Sequence, residues 1–192
     1  MRSPSIARRE IRCDVPTAER LRQLVNAPLP LRLNAIGMER QFFRDVYLDT
    51  ADGRLRSRGV TCRFRATDDD RRRLTIHIVD PLLSAHSDAA AARRYDADVN
   101  DLEALRAVEG DSDPARRLRA FADPEQLQQT LIVGTERFLR RTKPGWFRRA
   151  QFNFIYDDAT VEYGPLTRGF QEIRVWRVRD GPPTELLSWV PP

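Results

Sequence analysis

Apolar and charged side chains alternate at every second residue in several segments, and this pattern restricts the fold of the chain more than any other feature. It is clearest in Glu-Ile-Arg-Cys-Asp-Val at residues 10–15, and it recurs at 60–65 and 73–78. Successive side chains of a β-strand point to opposite faces of the sheet. Each of these segments therefore predicts a strand with one apolar face and one charged face.

Six further segments are typical of strands, with Gly-Pro and Asp-Asp turn signals between several of them: 44–48, 94–99, 136–141, 149–156, 159–163 and 171–178. Helices are fewer. Short helices are expected over 18–25, over 102–108 and from Pro124 onward, with N-caps at Thr17, Asp101 and Asp123. The sequence thus predicts an α+β fold that is mainly β, with eight or nine strands.

Charged residues recur on the polar face of many of these strands, which an ordinary sheet with one face in water explains poorly. They are Glu10, Arg12, Arg63, Arg65, Arg73, Asp96, Asp98, Arg137 and Glu172. The few helices are also too short to cover several apolar faces. We therefore expect a closed eight-stranded antiparallel β-tunnel with a polar, arginine-lined interior and a few helices packed outside.

The 192 residues, of which 41% are hydrophobic, suffice for one buried core. We expect a single domain over 1–181, with 182–192 as a tail or as a linker to a further domain of a longer protein. No segment approaches the roughly 20 apolar residues that span a bilayer, and the first residues lack the apolar centre of a signal peptide. A cytoplasmic location without a membrane partner is expected.

Arginine supplies the positive charge of this chain. Lys143 is the single lysine among 33 basic residues, which face 28 acidic ones and leave a formal charge of +5. The planar arginine fork matches phosphate oxygens, but a GC-rich genome produces the same bias, so the composition permits an anionic partner without requiring one. Cys13 and Cys62 lie on the apolar register, where buried thiols are expected rather than a disulfide or a metal pair.

The segment Tyr47-Leu48-Asp49-Thr50, followed by Leu-Arg-x-x-Gly at 55–59 and Arg-x-Arg at 63–65, resembles the CYTH superfamily of triphosphate tunnel enzymes. VTC-type polyphosphate polymerase domains are related to this family. The resemblance implies an eight-stranded antiparallel tunnel that binds triphosphate or inorganic polyphosphate. It also implies a set of phosphate-binding residues: Arg12, Arg63, Arg65, Arg73, His77, Arg137 and Arg174, with His77 standing where the family has lysine.

Inward carboxylates hold magnesium or manganese in this family, and the resemblance implies Glu10, Asp96, Asp98, Asp158 and Glu172 as the corresponding residues here. Asp157 fits the position of Asp158 equally well. Two carboxylates of the family pattern are replaced by Arg8 and Arg174, each adding about two units of positive charge. Because this change disfavours a divalent cation, a Mg or Mn cofactor is left open.

Three functions are compatible with these features. The first is a sensor or regulatory domain for triphosphate or polyphosphate, acting with a fused or associated phosphate-handling domain. The second is an active metal-dependent triphosphatase that hydrolyses tripolyphosphate or nucleoside or thiamine triphosphate. The third is a nucleic-acid module that uses the basic and aromatic segment at 146–149. Those aromatic residues more simply close a loop, so a nucleic-acid partner is not expected.

Overall fold

The structure is a computed structural model that describes residues 10–79, 92–143 and 151–178. The described part contains eight strands: β1 (Glu10–Val15), β2 (Ala35–Thr50), β3 (Val60–Thr67), β4 (Arg72–Val79), β5 (Ala92–Asp98), β6 (Leu127–Thr142), β7 (Phe152–Tyr163) and β8 (Leu166–Arg177). Its helices are α1 (Ala18–Asn26), α2 (Arg54–Ser57), α3 (Ala104–Glu109) and α4 (Asp113–Leu118), and its 3₁₀ turns are Pro30–Arg32 and Pro124–Gln126.

All eight strands belong to one sheet, with the order β1-β8-β7-β6-β2-β3-β4-β5. The strands β1 and β8 are antiparallel, and so are the neighbours from β2 to β5. This confirms the predicted mainly antiparallel, eight-stranded architecture with few helices. Among the described residues, β1 and β5 are the two ends of the hydrogen-bonded order, so closure of the sheet remains a proposal.

The strands are longer than the local pattern predicted. Residues 149–156 and 159–163 were expected as two strands with Asp157-Asp158 at a turn, but 152–163 form the single strand β7. Asp157 and Asp158 both have hydrogen-bond partners on neighbouring strands, so the chain has no need to turn out of the sheet at these two residues. The predicted strand 44–48 likewise lies near the C-terminal end of the 16-residue strand β2.

The helices match the sequence in part. The Thr17 hydroxyl caps α1 by accepting from the Arg20 amide, as expected. Asp101 is not a cap, because α3 begins after Glu103, whose side chain makes no capping bond. Asp123 does accept from the Glu125 amide, but only a 3₁₀ turn follows it. None of the described helices is long and apolar enough to cross a membrane.

The chain divides into two compact units, each with its own apolar core. The first unit takes its described residues from 1–41, 135–160 and 169–192. Its core lies between α1 and the apolar sides of β1, β7 and β8. The buried residues are Val15, Leu21, Val25, Leu29, Phe152, Phe154, Tyr156, Ile173 and Val175. The other side of these strands is thereby left to the charged residues.

The second unit consists of Phe42–Gly134 and Val161–Arg168. Its core packs α3 and α4 against the apolar sides of β2, β3 and β4. Among the fully or almost fully buried residues are Leu48, Leu55, Cys62, Phe64, Leu74, Ile76, Val108 and Leu118. The helices thus cover one side of the strands only.

Both cysteines are free thiols, as predicted, but their surroundings differ. Cys62 is completely buried, and burial, followed by the charge of Asp49, raises its pKa to about 12. Burial and Asp14 also raise the pKa of Cys13, which is only partly covered. The thiolate is the reactive form, so both positions resist modification in the folded state and Cys62 does so more strongly.

We expect Cys62 to react with Ellman's reagent at pH 8 only when the chain unfolds. The measurement is the time course of labelling of a Cys13→Ser variant, without and with guanidinium chloride. The folded variant should label no faster than it unfolds, since no water reaches the sulfur. Rapid labelling of the folded variant would contradict the placement of β3 in the core.

Candidate functional site

The strand register places most of the charged residues of β3, β4 and β5 on one face, opposite the core of the second unit. Arg63 lies opposite Thr75 on one side and Tyr47 on the other, and Arg65 lies opposite Arg73 and Asp45. Paired residues of antiparallel strands point to the same face. We call this set the β3 face: Asp45, Tyr47, Thr61, Arg63, Arg65, Arg73, Thr75, His77, Arg94, Asp96 and Asp98.

Asp45 is the buried centre of the β3 face, with 4% of its surface exposed. Its two oxygens accept from Nε and Nη2 of Arg65, both at 2.7 Å. The Arg65 guanidinium also lies 3.8 Å from the centre of the Phe43 ring. A bidentate pair combined with a cation–π contact fixes the plane of the guanidinium. Arg65 is therefore held in one orientation before any ligand binds.

Arg63 is held less completely than its neighbour. Its Nη1 lies 3.7 Å from Asp45 Oδ2, and its buried Nε has no hydrogen-bond partner among the described residues. A buried donor without an acceptor costs about 1–3 kcal/mol. Asp45 therefore holds Arg63 less firmly than it holds Arg65.

The β4 and β5 part of the β3 face consists of paired charges. Arg73 donates to Asp98 at 2.8 Å, and this bond lowers the pKa of Asp98. Asp96 accepts from Thr75 at 2.7 Å and from Arg94 at 2.8 Å. Burial opposes ionisation of Asp96, but the hydrogen bonds outweigh it and the pKa of Asp96 is lowered. Both carboxylates are charged, and each already accepts a hydrogen bond from an arginine.

His77 joins the same face, opposite Thr61 on β3 and Arg94 on β5. Register therefore places four of the predicted phosphate-binding residues side by side: Arg63, Arg65, Arg73 and His77.

The first unit has a second polar face, where β1 pairs with β8. Arg12 lies opposite Arg174, and Asp14 lies opposite Glu172. Contacts join Arg137 of β6 and Asp157 of β7 to Arg174. We call this set the β8 face: Glu10, Arg12, Asp14, Arg137, Asp157, Glu172 and Arg174.

The β8 face is built around a buried aspartate, as the β3 face is. Asp157, with 4% of its surface exposed, accepts from Nε and Nη2 of Arg137 at 2.7 and 2.8 Å. Arg174 Nη2 donates to the same carboxylate, and Arg174 Nε lies 2.9 Å from Glu172 Oε1. Arg174 thus lies between two carboxylates and neutralises them.

Sequence reasoning missed Asp45 and chose Asp158 over Asp157. The structure brings Asp157 into the β8 face, whereas Asp158 accepts from Gln171, whose register partner Val15 belongs to the apolar core. One signal for Asp45 was present. Asp45 alternates with Val46 and Leu48, which are buried, so Asp45 lies inside a strand and its carboxylate needs a counter-ion there.

The last two residues of the segment Tyr47-Leu48-Asp49-Thr50, which carries the resemblance, have a structural role. Asp49 accepts from the amides of Leu55 and Arg56 at 2.8 and 3.2 Å, and the Thr50 hydroxyl accepts from the Arg54 amide at 2.9 Å. Gly59 ends the connection with a φ of 68°, which glycine adopts without strain. These residues hold the turn between β2 and β3.

The residues present do not fit a site for magnesium or manganese. Such ions need several oxygen ligands together. Each predicted metal ligand already has a partner: Glu10 has Arg12, Asp96 has Arg94, Asp98 has Arg73, Asp158 has Gln171 and Glu172 has Arg174. Within the described ranges, no three His, Cys, Asp or Glu residues come together as a metal site. Arg8 and residues 146–149 lie outside these ranges.

Comparison with solved structures identifies the fold. A candidate adenylate cyclase from Bacillus halodurans matches with a TM-score of 0.52 and 17% identity, over 90% of this chain and 81% of its own. A candidate adenylyl cyclase from Hippeastrum, described as having a dominant triphosphatase activity, matches with a TM-score of 0.54 and 16% identity, over 88% and 79%. No protein-family model matches the chain, and no curated protein matches it significantly.

Both solved structures are adenylate cyclase-like proteins of the CYTH, or triphosphate tunnel, type. This chain therefore has the fold of a CYTH domain, which confirms the resemblance seen in its sequence. The relation to VTC-type domains remains a prediction.

Replacing Asp45 with alanine should destabilise the fold. Arg63 and Arg65 are only 21% and 25% exposed and would lose their shared carboxylate. We expect the free energy of unfolding to fall by about 2–3 kcal/mol, less than for a fully buried pair because water reaches both arginines. Urea denaturation measures this change.

The matched control is Asp111→Ala, because the Asp111 side chain is 92% exposed and 3.6 Å from Arg119. This variant should lose less than about 0.5 kcal/mol. Equal losses in the two variants would show that Asp45 does not hold the β3 face together.

Proposed function

We propose that this chain binds triphosphate or inorganic polyphosphate through its arginine-rich faces and acts as a sensor or regulatory domain without turnover. The observation that carries the proposal is the position of Arg174. Its guanidinium lies against Asp157 and Glu172, so a fixed positive group occupies the place between the two carboxylates. A guanidinium neutralises charge but cannot activate water as a metal ion does.

The β3 face supports the choice of ligand. Arg63, Arg65 and Arg73 lie on adjacent strands, and Arg65 and Arg73 face each other directly. Arg65 is oriented by Asp45 and Arg73 by Asp98, so the guanidinium groups are held on one face. Arginine forks complement phosphate oxygens in shape and charge, and a chain of phosphates offers an anionic group to several of them at once.

Closure of the sheet into an arginine-lined tunnel, with Arg12, Arg137 and His77 among its phosphate-binding residues, is part of the same proposal. A domain of this kind would act through a further phosphate-handling domain, fused to it or associated with it.

An active triphosphatase is the second candidate, favoured by the activity described for the Hippeastrum protein of the same fold. Turnover would need a carboxylate such as Glu172 or Asp98 to leave its arginine and take a metal ion instead. On the β8 face the pairs made by Arg174 oppose the binding of a metal ion. If the Arg174 guanidinium moved away, Asp157 would keep only its contacts with Arg137.

Replacing Arg63 and Arg73 with glutamine should weaken tripolyphosphate binding at least about 100-fold, since each removed charged contact is worth about 1.5–3 kcal/mol. This pair is preferable to a change at Arg65, because Asp45 keeps its bidentate partner. Titration calorimetry in EDTA measures the affinity, and circular dichroism checks the fold.

Arg106→Gln with Arg117→Gln is the matched control, as both arginines lie on helices and pair with acidic residues there. It should bind as the wild type does. Equal weakening in both double variants would point to nonspecific attraction of the net charge rather than a site.

The same proteins, assayed without EDTA, decide between sensor and enzyme. We expect no phosphate release from tripolyphosphate with either magnesium or manganese. Metal-stimulated release that the Arg63 and Arg73 changes abolish would replace the sensor by the triphosphatase.

A further inference from the structure

We propose that the ligand is the metal-free polyanion and that Mg²⁺ weakens its binding. The metal-free polyanion is defined as triphosphate or polyphosphate that is not complexed by a divalent cation. This inference rests on the proposed function and adds its regulation. The domain would report the fraction of the polyanion that free Mg²⁺ leaves uncomplexed.

The first step concerns the fixed charges of the β8 face. Arg137 and Arg174 converge on Asp157, and their side chains are 19% and 18% exposed. They cannot lose their charge, since arginine stays protonated in proteins. A phosphate chain that carries Mg²⁺ would bring a divalent cation towards these two guanidinium groups, and only Asp157 and Glu172, which already pair with the arginines, could offset the repulsion.

The second step concerns the carboxylates that could offset this repulsion. Mg²⁺ requires a near-octahedral shell of oxygens at short distance and gives up its waters reluctantly. Glu172 is in contact with Arg174, and Asp157 takes two bonds from Arg137 besides its contact with Arg174. An incoming ion would have to break those pairs to gain a protein ligand. The face therefore disfavours the complexed form.

The β3 face leads to the same result independently. Every aspartate of this face already accepts hydrogen bonds. Asp45 accepts from Nε and Nη2 of Arg65, Asp96 accepts from Arg94 and Thr75, and Asp98 accepts from Arg73. Arg63 lies 3.7 Å from Asp45 and its side chain is 21% exposed, so its guanidinium can donate to a free phosphate oxygen. An oxygen that already coordinates Mg²⁺ is a poorer acceptor, because the ion withdraws its charge.

The consequence follows from linkage. Mg²⁺ binds triphosphate in solution, so it competes with the protein for the same oxygens, and protein binding in turn releases Mg²⁺. When a protein takes only one form of its ligand, its apparent dissociation constant rises as the fraction of that form falls. A protein that holds the metal itself would show the opposite response.

The experiment is calorimetric titration of the whole chain with sodium tripolyphosphate, in EDTA and at a series of free Mg²⁺ concentrations, with NaCl holding ionic strength constant. Once the ligand is mostly complexed, the apparent dissociation constant should rise about tenfold for each tenfold rise in free Mg²⁺. An affinity that Mg²⁺ leaves unchanged or increases would overturn the inference while leaving the proposed function intact. No binding in EDTA would instead contradict the proposed function.

An Arg174→Glu variant tests whether this guanidinium causes the effect. It places a third carboxylate beside Asp157 and Glu172, so the loss of affinity caused by Mg²⁺ should shrink to less than about twofold or change sign. Arg174→Gln, which only removes the charge, covers the case in which the glutamate variant does not fold, and it should show a smaller loss than the wild type.

Arg106→Glu is the control with the same change in net charge on an exposed helix, and it should keep the full Mg²⁺ response. An equal response in Arg174→Gln and Arg106→Glu would overturn the role of Arg174.

Discussion

The pairing of arginines with buried aspartates is the interaction on which the rest of this structure depends. Strands that present arginine to arginine, as β3 and β4 do at Arg65 and Arg73, repel one another unless negative charge lies close by. Asp45 supplies it to Arg65 and Asp157 supplies it to Arg137, both from positions that water hardly reaches. Each aspartate accepts two hydrogen bonds from Nε and Nη2 of an arginine that lies 20 residues away. A buried carboxylate cannot be left alone without a large cost, so each of these contacts fixes two strands as well as two charges.

This arrangement changes what the acidic residues of the fold can do. On both polar faces the carboxylates serve as fixed counter-ions that hold arginines in place, and Arg174 completes that pattern between Asp157 and Glu172. Arginines oriented in advance lose little freedom when a phosphate chain arrives, which favours binding. In the proposed function, preorganisation for an anion and exclusion of a cation are two results of one set of contacts.

The alternation of side chains was enough to predict the strands, their charged faces and most of the arginines that share them. It could not identify the counter-ions, because pairing across strands depends on register. The alternation of Asp45 with Val46 and Leu48 indicated a need for a counter-ion but did not identify it, and Asp157 and Asp158 were indistinguishable until β8 showed which one faces Arg174. The two adjacent aspartates also suggested a turn, but their partners in the sheet overrode that local preference. The helix α1 was predicted correctly, because its Thr17 cap and its apolar stripe are local features of the sequence.

The turn held by Asp49, Thr50 and Gly59 has a consequence for how the fold tolerates change. Side chains of a strand alternate with a period of two, so one extra residue between Asp49 and Val60 would exchange the two faces of β3. Arg63 and Arg65 would then point into the core, and Cys62 and Phe64 would face the arginines of β4. Insertions of a single residue should thus be far more damaging here than substitutions on the surface of α2. The segment between β2 and β3 therefore acts as a spacer, and an even or odd change in its length decides which face of β3 meets the core.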